Sequence, residues 1–85
     1  MLLRRLLVRL PDRPGSLGQV TTLLGRLGVD IQQMRVLERD GVCAIDEFTV
    51  AVPGAVIDRT LATLIEEIDG VSVLQTTVVE PIALR

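Results

Sequence analysis

The hydrophobic period of this chain switches from two residues to about 3.6 and back, and does so twice. A strand face and a helix stripe cannot share one period, so the switches set the order of elements. Leu2 to Leu10 alternates: Leu6, Val8 and Leu10 share one face, and Arg5, Leu7 and Arg9 share the other. One clean face and one amphipathic face predict a sheet covered by helices on one side only. Pro11-Asp12-Arg13-Pro14-Gly15-Ser16 then breaks the alternation with turn chemistry. Leu17, Val20, Leu24 and Leu27 recur at helical spacing with Leu23 beside them, which predicts a helix over Gly15 to Leu27. Asp12 is placed to cap it, Pro14 suits its first turn, and Gly28 its left-handed stop.

Val29 to Glu38 reads as a second strand whose apolar parity changes, from Val29 and Ile31 to Met34 and Val36. Such a change predicts a bulge near Gln32-Gln33, or a strand end that is not fully paired. Arg39-Asp40-Gly41 supplies a hairpin turn. Cys43 to Val52 is the third strand, with Phe48, Val50 and Val52 on one face and Ile45, Glu47 and Thr49 on the other. After Pro53-Gly54, Ile57, Leu61, Leu64, Ile65 and Ile68 return to helical spacing, with Asp58, Arg59, Glu66 and Glu67 toward solvent. Asp69-Gly70 stops this helix, Val71 to Val79 forms the last strand, and Glu80 to Arg85 is a tail.

The order strand–helix–strand–strand–helix–strand defines an α+β, ferredoxin-like βαββαβ two-layer sandwich, with a four-stranded antiparallel sheet and two helices on one face. Right-handed crossovers put the first and third strands in the middle and leave the second and fourth as edges. No linker or low-complexity stretch divides the chain, so residues 1–85 read as one domain. A core with one aromatic ring, Phe48, is small, which favours support from a partner subunit.

The residue alphabet narrows the function. The chain has no His, Lys, Asn, Trp or Tyr, and its only cysteine is Cys43. Without His the usual general base and the commonest metal ligand are missing, and no Schiff-base lysine, CxxC metal site or internal disulfide can be built from it. The expectation is therefore no catalytic residue, no metal, no cofactor, and a cytoplasmic location. Asp46-Glu47 resembles a catalytic carboxylate pair, but neighbours on a strand point to opposite faces. Nine arginines face eleven carboxylates for a net charge of −2, with no basic stripe for nucleic acid. Arg4, Arg5 and Arg9 interrupt the opening leucines, so neither a signal-peptide core nor a bilayer span is expected. On a strand those arginines read as a solvated face or as salt bridges. Base-stacking aromatics, a first-loop CxxC and the asparagine of an acylphosphatase-like site are all missing, which removes three other users of this sandwich.

Leu10 to Ile31 (LPDRPGSLGQVTTLLGRLGVDI) resembles the opening of an ACT domain, with its D/N-R-P-G-x-L loop and its G-[VI]-[ND]-I step into the second strand. Ala44-Ile45-Asp46-Glu47-Phe48-Thr49-Val50 resembles the third strand of that family, and Asp69-Gly70-Val71 its step into the fourth. The resemblance implies a regulatory domain that binds a small molecule, an amino acid, at a domain interface and modulates amino-acid metabolism. It also implies a homodimer or larger homo-oligomer, with an enzyme as a further partner. The alternative is a ligand-free dimerisation or adaptor module, or a regulatory subunit of a larger enzyme.

The ligand-binding residues implied by the resemblance are Asp12, Pro14, Gly15, Ser16 and Leu17 in the loop, with Asp30 and Ile31 at the second-strand step. A helix N-terminus favours a carboxylate, and a side-chain carboxylate would complete recognition of a zwitterion, Asp12 and Asp30 being the candidates. Each residue also has a plainer role: Asp12 as a helix cap, Gly15 in helix packing, Asp30 in a turn, and Cys43 as a small apolar strand residue. Asp12 and Asp30 stand where better-known amino-acid-binding members often carry Asn, and an ionised Asp only accepts hydrogen bonds.

Overall fold

The computed structural model describes residues 1–80, and its elements follow the switches of period. They are β1 (Leu2–Pro11), α1 (Ser16–Arg26), β2 (Asp30–Arg39), β3 (Cys43–Val52), α2 (Asp58–Glu66) and β4 (Ser72–Val78). The sheet is antiparallel in the order β2-β3-β1-β4, so β1 and β3 are central, as expected from the crossovers. Residues 81–85 of the expected tail lie outside the described residues.

The core forms where the clean faces of β1 and β3 meet the helix stripes. Leu6 stands opposite Phe48 in the central ladder, and Val20 and Leu24 of α1 join Leu61 and Ile65 of α2 above them. Gly28 takes the left-handed conformation (φ 74°) just beyond α1, as its place after the stripe predicts.

Two expectations for α2 are corrected. Ile57 is exposed, because it precedes the first helical residue in an extended conformation, and Val56 packs against the core instead. Asp58 does not simply face solvent: its carboxylate accepts from Arg4 Nε at 3.0 Å. Arg4 lies opposite Val50 on the helix-covered face, so it belongs to neither solvent nor the open face. Arg5 and Arg35 do occupy the open face, where both approach Glu47.

β2 carries the expected bulge, since its register against β3 shifts between Ile31 and Gln33. A second shift, between Val36 and Glu38, has no forerunner in the apolar pattern. Each bulge inserts one residue and resets which side chains share a face. Ile31, Met34, Val36 and Arg39 therefore stand opposite Val50, Phe48, Asp46 and Ala44, all on the helix side.

Candidate functional site

The loop between β1 and α1 is held at both ends. Pro11 closes β1 opposite Cys43, and the Asp12 N–H donates to the Val42 carbonyl at 3.0 Å. The chain then turns through Arg13 and Pro14, and the Ser16 N–H donates to the Arg13 carbonyl. Gly15 sits at the helix N-cap with φ 89°, where a side chain costs roughly 1–2 kcal/mol. A Cβ there would meet nothing within 4 Å among the described residues, so backbone conformation rather than helix packing calls for glycine.

The expected cap from Asp12 is not made. Among the described residues no side chain caps α1. The Asp12 carboxylate instead accepts from Arg39, with Nη2 at 2.9 Å and Nε at 3.2 Å, and from the Gly41 N–H at 3.2 Å. It thus fastens the loop to the β2–β3 hairpin; the Ser16 N–H is taken by the Arg13 carbonyl, and no side chain among the described residues caps the N–H groups that follow it in the first turn of α1.

Between this loop and the hairpin end of β2 lies a cavity of about 390 Å³. Small-molecule sites commonly run about 300–1,000 Å³. Asp12, Pro14, Gly15, Ser16 and Leu17 lie on its loop wall together with Arg13, while Val36 and Arg39 face them from β2. Asp46 lines the cavity from β3. Asp30 and Ile31 do not join them within one chain. Asp30 begins β2 opposite Ala51, at the far end of a ten-residue strand, and accepts from the Gln32 side chain. Ile31 packs against the core.

Charge is distributed unevenly across the site. The Arg39 guanidinium holds the Asp12 carboxyl below the usual carboxylate range, and Asp12 in turn raises Arg39. The N–H groups of Cys43 and Val42 lower Asp40 in the hairpin turn. Asp46 goes the other way: burial pushes its carboxyl up, nearby Asp12 adds to the rise, and Arg39 opposes it. Asp46 is only 3% exposed, and among the described residues its Oδ1 has no hydrogen-bond partner. Sequence reasoning passed over Arg39 and Asp46 as site residues. For Asp46 a signal existed, since it shares the parity of Phe48 and Val50. For Arg39 there was none, because only the second bulge turns it toward Asp12.

A ferredoxin-like sandwich with a ligand-sized cavity at its first loop defines a class of small binding domains. The chain belongs to the ACT domain family, whose model matches residues 4–70 of the 85. That span takes in the loop, both bulges, the hairpin and α2. ACT domains are generally regulatory ligand-binding domains rather than catalysts. No curated protein and no solved structure matches the chain significantly. Among the described residues no helix is long and apolar enough to cross a membrane.

Proposed function

We propose that this chain is a regulatory domain whose first-loop cavity binds an amino acid, and that ligand binding modulates an enzyme of amino-acid metabolism without chemistry of its own. The observation that carries this reading is the convergence of five residues, Asp12, Pro14, Gly15, Ser16 and Leu17, on one wall of a ligand-sized cavity beside an uncapped helix N-terminus. Uncapped N–H groups and the helix dipole together favour a ligand carboxylate.

The domain acts as a homodimer in this reading. β2 is an edge strand ten residues long, and Met34, Val36 and Leu37 on it are exposed apolar side chains. Antiparallel pairing of two β2 strands sets the start of one beside the end of the other. Asp30 and Ile31 of a second copy would then approach the cavity end marked by Arg39 and Asp12, uniting the two halves of the implied site. The same exposed edge supports a second reading, a ligand-free dimerisation or adaptor module. A single free cysteine, Cys43, suits a cytoplasmic setting.

Backbone amide spectra of the full chain, titrated with each of the twenty amino acids, separate the two readings. Shifts centred on residues 12–18 with Val36 and Arg39 are expected for at least one of them. Spectra that stay unchanged, or that move only elsewhere, would replace the sensor with the adaptor.

A further inference from the structure

The loop cavity contains two carboxylates, and only one of them is satisfied. Asp12 accepts three hydrogen bonds, two from Arg39 and one from the Gly41 N–H. Asp46 lines the same cavity, is nine-tenths buried and more, and leaves Oδ1 without a partner among the described residues. A buried carboxylate oxygen with no donor is costly to a fold, and such groups in native structures call for an explanation. Its strand neighbours offer none: Val8 stands opposite it on β1 and Val36 opposite it on β2.

We infer that Asp46 is the acceptor for a cationic amino group, so that the cavity selects small molecules carrying an ammonium, with α-amino acids as the class that also satisfies the helix end. This rests on the reading of the first-loop cavity as a ligand site, and goes beyond it by naming the residue that chooses the ligand. Three considerations converge on it. Asp12 is occupied by Arg39, so it is a poor acceptor for a second cation. The torsion that turns a carboxylate about its Cβ–Cγ bond is soft, so either Asp46 oxygen can be presented to the cavity. A zwitterion needs a partner at each end, and Asp46 and the uncapped N–H groups of α1 are opposite in sign. A hard divalent cation is a worse fit, since it takes six or more oxygens and Asp12 is already engaged.

The test uses the full chain, wild type and Asp46→Asn, melted calorimetrically against the twenty amino acids and the matching α-hydroxy acids. A hydroxy acid keeps the carboxylate and side chain but replaces the ammonium. The expected result is an amino acid that raises the melting temperature, with its hydroxy acid binding on the order of ten- to a hundredfold more weakly. That discrimination should vanish in Asp46→Asn, which preserves shape and so folds. A merely structural Asp46 would leave the discrimination intact in the variant, and this result would overturn the proposal. Equal binding of amino and hydroxy acids by the wild type would overturn it too, while leaving the cavity as a ligand site. No shift with any compound would remove the cavity reading and this proposal together.

Discussion

Asp46 stands directly opposite Val8 across the two central strands, a carboxylate in register with a fully buried valine. The pairing places a charge on the face that the helices cover, between Ala44 and Phe48 in the alternation of β3. Nothing on β1 can donate to it there. Replacing the charge by an isosteric amide should therefore stabilise the ligand-free domain. Asp46→Asn is expected to gain on the order of 1 kcal/mol at pH 7, because a buried unpaired charge costs more than the neutral amide that replaces it. For a domain of this size that raises the melting temperature by roughly 4–8 °C. A calorimetric melt of both proteins checks it, and a less stable variant would mean that Asp46 is satisfied in the native state.

The same pair of proteins should differ with pH in one direction only. Burial raises the Asp46 carboxyl above its ordinary value, with Asp12 adding to the rise and Arg39 opposing it. Between the ordinary aspartate value, about 3.9, and the raised one, the native state holds more protons than the unfolded chain. Its stability relative to Asp46→Asn must then fall as pH rises through that window, and the difference should become independent of pH below it. Asp12 and Asp40 are lowered, so their contributions are present above the ordinary value and lost as pH falls through the lowered ones. Both remain in the variant; Asp40 cancels from the comparison, whereas Asp12 loses its repulsion with Asp46 and adds a smaller change to the difference. Urea midpoints from pH 3 to 8 measure the difference, and a gap that does not change with pH would contradict the assignment.

Gly15 and Gly18 make a matched contrast on one helix. Among the described residues neither would bring a Cβ within 4 Å of a neighbour, yet Gly15 has φ 89° and Gly18 lies within α1. Gly15→Ala should destabilise by roughly 1–2 kcal/mol from left-handed strain. Gly18→Ala should instead stabilise by roughly 0.5–1 kcal/mol, through lower chain entropy in the unfolded state. Denaturant midpoints of the two variants should move in opposite directions.

The order of elements was legible because period and punctuation agree at every step. Alternation in β1 and β3, helical stripes at Val20–Leu24 and Leu61–Ile65, and glycines at positive φ all point to one sandwich. The loop of the site was legible from its turn residues. The other wall was not. The first bulge of β2 shows as a change of apolar parity, but the second turns a charged residue, Arg39, which carries no hydrophobic signal. Asp12 was misread as a helix cap for the same reason: its partner lies 27 residues away, and only tertiary folding brings the two together. Asp46 was readable from parity with Phe48, yet weighing it only as a catalytic partner for Glu47, which points to the opposite face, leaves its core position without a role.

If β2 pairs with a second copy, the middle of the strand meets its own counterpart across the two-fold axis. Met34 lies near that midpoint and is partly exposed. Met34→Glu would set two like charges close together and should shift the domain to monomers at micromolar concentration. Sedimentation velocity distinguishes the species, and an unchanged coefficient would place the interface elsewhere.

The most direct test of the sensor reading is a calorimetric melt of the wild-type chain with each of the twenty amino acids, since a protein without Trp or Tyr has no useful intrinsic fluorescence. A ligand at about 100 times its dissociation constant adds about 2.7 kcal/mol to the native state. For this length the melting temperature should rise by roughly ten degrees or more with one amino acid or a chemically related few. A panel in which all twenty leave the melt unchanged would contradict an amino-acid sensor and leave β2 as the functional surface of the domain.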